Sequence, residues 1–268
     1  MLRDITLGQY YQTKSYIHDL DPRVKLGGTV LYIISLFCFK NYLGYLIAAL
    51  FLALVVKLSH VPFHFMVKGM KAILMLLMIT VMFNLFLTPG TPVVTLWKLT
   101  ITAEGVRMAL TMMARLTLLV IGSSLMTLTT TPNNLTDGME KMMSPLKVIK
   151  VPVHEVAMMM SIALRFIPIL MEETDKIMKA QTARGADFEH GNLLARAKAL
   201  VPLLVPLFIS AFRRANDLAM AMEARCYRGG EGRTKMKPLI YKKKDFLAYA
   251  GLVVYMVVSI VVGRLSLG

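Results

Sequence analysis

Four stretches of this chain, Leu26–Phe39, Tyr42–Val56, Ala72–Leu87 and Phe246–Gly263, carry no charged residue and very few polar ones. A fifth, Gly105–Leu128, is nearly as apolar but holds Arg107 and Arg115. Runs of this kind constrain the fold more than any other feature. A helix satisfies its backbone groups internally and can therefore leave water for lipid. At 1.5 Å per residue a run of roughly 16 residues covers about 24 Å, short of a hydrocarbon core of about 30 Å. Flanking Lys and Tyr must snorkel, or the bilayer must thin. Alternatively, Leu26–Val56 is one buried helical hairpin turning at Lys40-Asn41. The reading is an all-α integral membrane protein with about five transmembrane helices, and six or more if later segments insert.

Composition divides the remaining possibilities. Hydrophobic residues make up 56% of the 268, which excludes a disordered chain and is too high for an ordinary soluble domain. Lys and Arg number 31 against 16 Asp and Glu, a net charge of +15. Such a balance suits nucleic acid, but a soluble nucleic-acid binder would not carry long uncharged apolar runs, so no nucleic-acid partner is expected. The alternative is topological. Lys14, Arg23 and Lys25 precede the first span with Arg3, and Lys57, Lys68 and Lys71 lie between the second and third. The loop Thr88–Glu104 has Lys98 alone, beside an interfacial Trp97. The positive-inside rule puts residues 1–23 in the cytoplasm and the Trp97 loop outside. The first 23 residues lack an apolar h-region behind a basic start, so no cleavable signal peptide is read there.

With residues 24–128 assigned to four helices and 245–268 to the last, residues 129–244 form a cytoplasmic block. Its part 176–244 holds 15 basic residues and only 5 acidic ones. Thr131-Pro132 is a helix start, while Ser144-Pro145 and Val151-Pro152 interrupt the chain. Apolar Val156, Met160, Ala163, Ile167, Leu170 and Met171 recur at helical spacing, predicting an amphipathic helix from about Val153 to Arg184 that ends at Gly185. Pro168 should kink it. A second helix is expected from about Leu193 to Arg225, with Pro202 and Pro206 inside. The two helices end alike, Ala183-Arg184-Gly185 and Ala224-Arg225-Cys226, 41 residues apart. An Arg at a helix C-terminus is favoured by the dipole by about 0.3–1 kcal/mol, which is one explanation. The other is docking: a small neighbour leaves the guanidinium free to enter an acidic groove and form a bidentate pair.

These residues resemble the transmembrane T components of energy-coupling factor (ECF) transporters. The likeness rests on Asp21-Pro22-Arg23 before the first span, Pro145-Leu146-Lys147, Leu164-Arg165-Phe166-Ile167-Pro168 and both Ala-Arg motifs, and covers the chain from about residue 15 onward. The second motif departs from the pattern, with Cys226 where glycine is usual, so its turn is expected to differ. The resemblance implies a non-catalytic scaffold joining a membrane-embedded, substrate-binding S component to two cytoplasmic ABC-type ATPases, a homo- or heterodimer. It implies that Arg184 and Arg225 each dock on one ATPase. It further implies that the amphipathic helices transmit ATP-driven motion for vitamin or metal-ion uptake across a bacterial or archaeal cell membrane. No cofactor is expected.

Cys38 and Cys226 form no CxxC motif. His60 and His64 stand four apart around Pro62, without a nearby acid, and read as interface residues before metal ligands. The 22 Met suit adaptable contact surfaces or plain core filling better than a copper site. Arg107, Arg115 and Arg165 either snorkel or pair with Glu104, Glu172 or Glu173. A membrane enzyme would need a catalytic constellation, and a self-powered ATPase a GxxxxGK[ST] loop; neither is present. A lone carrier or another ABC permease is the remaining rival, and the paired Ala-Arg ends argue against it.

Overall fold

The computed structural model describes residues 10–39, 41–96, 99–186, 188, 192–230, 236 and 238–265. Two compact units separate, one within Gly8–Met142 and Leu239–Gly268, the other within Met143–Pro238. The first holds α1 (Pro22–Cys38), α2 (Tyr42–Ser59), α3 (Phe63–Leu87), α4 (Ala103–Thr129), α5 (Pro132–Met142) and α8 (Lys243–Leu265). The second holds a 3₁₀ helix, Ser144–Ile149, and two long helices, α6 (Val153–Ala183) and α7 (Leu193–Ala224).

Helices α1, α2, α3, α4 and α8 are each longer than the apolar segment that foretold them, extended at one end or both by polar residues. Asp21 accepts the backbone N–H of Arg23 and starts α1 at Pro22, whose missing N–H costs nothing there. Thr102 caps α4 through the N–H of Gly105 at 3.0 Å. A side chain at Gly105 would come within 3.0 Å of the Asn84 carbonyl and 3.1 Å of that of Leu85, so glycine permits the close approach of α3 and α4. The loop between those helices is not featureless: it carries an antiparallel hairpin, Pro92–Leu96 paired with Leu99–Thr102. Trp97 and Lys98, expected at the outer interface, lie outside the described residues, as do Arg3 and Lys40.

The core of this bundle is one cluster in which Leu36, Ala48 and Met66 are fully buried, joined by Tyr32, Leu125 and Tyr255. The Ser35 and Tyr255 hydroxyls meet at 2.6 Å and satisfy each other inside it. Outward positions such as Leu46, Leu50, Val253 and Val254 stay exposed, as lipid-facing residues do in an isolated chain. Among the described residues Arg115 finds no carboxylate partner; its Nη2 donates to the Tyr45 hydroxyl at 2.7 Å and its charge lies 5.5 Å from the Phe37 ring centre. Arg107 lies over the Tyr42 ring, and Glu104 bonds Thr91, so of the two alternatives, snorkelling or pairing with an acid, no pairing is made by these arginines among the described residues.

Among the described residues, five helices are long and apolar enough to cross a membrane: α2, α4, α6, α8 and the Lys198–Ala224 part of α7. Helix α1 has 17 residues, and the Ile73–Leu87 part of α3, which runs from Phe63 to Leu87, is a shorter apolar stretch; α6 and α7, read from the sequence as amphipathic, are also apolar enough by length and composition.

Candidate functional site

Helices α6 and α7 are built to the same plan. Both run unbroken through internal prolines, Pro168 in one and Pro202 with Pro206 in the other. Pro206 has no N–H for the Pro202 carbonyl four residues back, and the Gln181 side chain of α6 donates to that carbonyl at 3.3 Å. Further along, Arg214 pairs with Glu173. Gly230, beyond α7, sits so close to the His154 ring at the start of α6 that a side chain there would meet it at 2.5 Å. Rising positions on α6 thus meet falling positions on α7, and the helices are antiparallel.

The 41-residue offset that relates the two Ala-Arg ends also relates Glu173 to Arg214. Equivalent positions therefore touch each other, which is what a local two-fold axis produces. Arg184 lies 11 residues past Glu173, and Arg225 lies 11 past Arg214. Each tip projects about 16 Å of helix beyond the axis, in opposite directions.

The caps are matched as closely. In α6 the Gly185 N–H bonds the Thr182 carbonyl at 2.9 Å and the Ala186 N–H bonds that of Gln181 at 3.0 Å. In α7 the Cys226 N–H bonds the Glu223 carbonyl at 2.8 Å and the Tyr227 N–H bonds that of Met222 at 3.0 Å. Both are Schellman turns, with Arg as the cap residue and the next residue left-handed, Gly185 at φ +90° and Cys226 at φ +55°. The expected difference at Cys226 is therefore absent. The cysteine adopts the glycine conformation, against a backbone preference of roughly 1–2 kcal/mol.

Ala183, Arg184, Ala224 and Arg225 are all exposed, and neither guanidinium has a partner among the described residues. Arg23, Arg115 and Arg214, by contrast, hold internal hydrogen bonds. The two tips are free to meet a partner. Sequence reasoning found them and named Glu173 as a possible arginine partner, but missed its pairing with Arg214, although the same offset carries inward to that pair.

The Asp21-Pro22-Arg23 motif is a clasp within the bundle. Arg23 donates from Nη2 to Asp21 at 2.8 Å and to the Leu239 carbonyl at 3.1 Å, and its guanidinium lies 3.8 Å from the centre of the Tyr241 ring. Asp245, buried in the first turn of α8, accepts the N–H of Asp21 at 2.8 Å and that of Lys242 at 2.7 Å. Pro22 packs on Gly138 of α5, where a Cβ would lie 3.0 Å away. The motif thus ties the start of α1 to α5 and to the approach of α8. Burial alone would raise the Asp21 carboxyl. The side-chain and backbone hydrogen bonds from Arg23, with the charges of Arg23 and Lys25, outweigh it and hold the group below the usual carboxylate range. Asp245 was hidden in the sequence behind three lysines; its signal is an acid three residues after a helix cap. Among the described residues no cluster of His, Cys, Asp and Glu could hold a metal ion.

Comparison with known proteins places the chain in a family. Residues 13–236 match the CbiQ family model, described as cobalt transport protein. The chain is 54% identical over 262 residues to the energy-coupling factor transporter transmembrane protein EcfT of Clostridium kluyveri, covering 97% of each. It is 53% identical over 256 residues to that of Ruminiclostridium cellulolyticum, covering 96% of each. With the Bacillus subtilis protein of the same name it shares 46% over 255 residues, 95% of this chain and 96% of the other. Such identity over nearly the full length shows kinship, and the chain belongs to the EcfT/CbiQ family of energy-coupling factor transporter transmembrane proteins.

Proposed function

We propose that this chain, the non-catalytic transmembrane component of such a transporter, couples two cytoplasmic ATPases to a membrane-embedded substrate-binding subunit through α6 and α7. The observation that carries the reading is the pair of identical caps on a local two-fold axis, each presenting an exposed Arg without a partner among the described residues. Two equivalent cations on opposite sides of an axis suit two equivalent acidic grooves, one on each subunit of an ATPase dimer. Helix-dipole stabilisation accounts for an Arg at one end, but not for matched tips with matched spacing. A charge reversal at both, Arg184→Glu with Arg225→Glu, is expected to abolish co-purification of the ATPases at ordinary salt. Retention of both ATPases by the double variant would sink the docking assignment.

The same reading keeps residues 129–244 and the N-terminal segment in the cytoplasm and the remaining helices in the cell membrane. Helix α7 is apolar enough to span by average, yet its uncharged stretch from Ala199 to Phe212 has 14 residues, about 21 Å, and contains two prolines. Helix α6 is interrupted by Arg165 and is heavily charged from Glu172 onward. Both fit amphipathic helices whose apolar sides meet a partner better than helices ringed by lipid. On α7 that side is bare: Leu204, Val205, Phe208, Ile209 and Phe212 are exposed. The S component is the partner assigned to it, and the cargo, a vitamin or a metal ion, is that subunit's to choose. Two exposed cysteines report the topology. A membrane-impermeant maleimide applied to intact cells should label Cys38, and Cys226 only after permeabilisation. Labelling of Cys226 in intact cells would overturn the cytoplasmic placement.

A further inference from the structure

The bundle contains an apolar groove of about 290 Å³ between α1, α2, α4 and α8 that no part of the coupling reading uses. Its walls come from the Lys25 half of α1, the Leu58 half of α2, the Thr129 half of α4 and the start of α8. These are the four helix ends that the proposed topology puts on the cytoplasmic side, so the groove occupies the inner-leaflet half of the bundle. This leaflet assignment alone rests on the topology proposed above.

Three features give it the character of a binding site. The first is a cation at its mouth. Lys25, which lines the groove, donates to the carbonyls of His18 at 3.0 Å and Thr129 at 2.9 Å. An ammonium has three donors, so one is left. The acids nearby are committed elsewhere, Asp19 to Lys244, Asp21 to Arg23 and Asp245 to backbone N–H groups. Lys243, one helical turn before the lining residue Leu247, adds an exposed charge on the same side. The second is Gly251. Gly28 and Gly122 also line the groove, but there a Cβ would meet Leu252 at 2.9 Å and Tyr32 at 2.7 Å, so close packing accounts for them. At Gly251 a Cβ would meet nothing within 4 Å. A glycine inside a helix is unfavourable relative to alanine, and here no packing contact requires it; the space beside it is open groove. The third is the Tyr32 hydroxyl, which is buried on the groove wall without a partner among the described residues.

We infer that the groove holds one acyl chain of an anionic phospholipid, with its phosphate at Lys25 and Lys243. An uncommitted cation at an apolar slot matches the two ends of such a lipid. Tyr32 supplies a donor for an ester carbonyl, the acceptor that a lipid brings and a hydrocarbon does not. The cations at its mouth favour an anionic headgroup over an apolar helix from a partner subunit.

The test uses the full chain purified with its partner subunits and reconstituted in vesicles of equal parts phosphatidylglycerol and phosphatidylcholine. After gentle extraction, lipid retained per complex is counted by native mass spectrometry. The wild type should keep one phosphatidylglycerol. Gly251→Phe should lower retention of either lipid by about tenfold, the cost of withdrawing roughly two methylenes from an apolar site. Gly251→Ala, whose methyl has open space, should keep it and thereby control for folding. Lys25→Gln should keep a lipid but lose the preference for phosphatidylglycerol. The inference is overturned if Gly251→Phe retains wild-type lipid. It is equally overturned if Lys25→Gln keeps the preference, or if inorganic phosphate at millimolar concentration displaces the lipid, which would mark a phosphate site without a chain slot. Release of the S component by Gly251→Phe with lipid unchanged would assign the groove to a partner helix instead. None of these lipid readouts depends on ATPase docking or on which leaflet the groove faces.

Discussion

The membrane bundle and the α6–α7 pair solve opposite problems with the same residue types. In the bundle, Leu36, Ala48 and Met66 are fully buried, and Arg23 and Arg115 are spent on internal bonds. In the pair, the buried hydrophobic residues are Val153, Ala157 and Leu203 among those described, while Phe208 and Phe212 are more than half exposed. Its cross-links include Glu173 to Arg214 and Gln181 to Pro202, and its terminal arginines have no partner among the described residues. The bundle holds its shape by its own core. The pair presents surfaces to others, so substitutions in one region should read out as stability and in the other as assembly.

Leu36→Ala is the strongest way to test the first half of that contrast. Emptying a fully buried site should cost about 2–5 kcal/mol of bundle stability in a detergent melt, yet leave ATPase capture by the folded fraction unchanged. Arg23→Ala follows. It strips Asp21 of its partner and loosens α1 from Leu239, at an expected cost of about 3 kcal/mol. The pH dependence shows the sign. The folded Asp21 carboxyl is depressed, so its contribution is present above the unfolded value near 3.8 and is lost as pH falls through the lower folded value. Removing Arg23 should shift that acid limb to higher pH; an unmoved limb would mean the clasp is not what Asp21 depends on. The smallest effects belong to the caps. Cys226→Gly should stabilise the α7 cap by up to about 1 kcal/mol, and Gly185→Ala should destabilise that of α6 by about as much. Both are measurable by hydrogen exchange of the cap amides, and equal exchange in all variants would deny the left-handed strain.

Most of the helices were legible because their signals are local. Val153 to Arg184 and Leu193 to Arg225 were bounded within a residue by a proline break, a periodic face and a terminal Ala-Arg. What stayed hidden was long-range. Asp245 looks like part of a charged run, and only its burial against the N–H of Asp21 reveals it as part of the clasp. For Arg115 the sequence leaves snorkelling or a carboxylate partner open, whereas the fold offers the phenol of Tyr45, a neighbour across α2 and α4. The hairpin after α3 escaped because strands of four and five residues give too short a pattern to separate from a loop. The tips were legible as residues, but their equivalence emerged only when Glu173 and Arg214 were found touching at the same offset.

That equivalence is the central claim, and the affinity of the purified chain for the ATPase pair tests it most directly, with Arg184→Glu, Arg225→Glu and the double variant side by side. Removing one partner of a desolvated charge pair costs about 2–5 kcal/mol, or roughly 30- to several-thousand-fold. The two single variants should weaken binding by the same factor to within about threefold, and the double should abolish it. If one variant removes all binding while the other removes none, or if the double still binds, the two tips are not equivalent docking points.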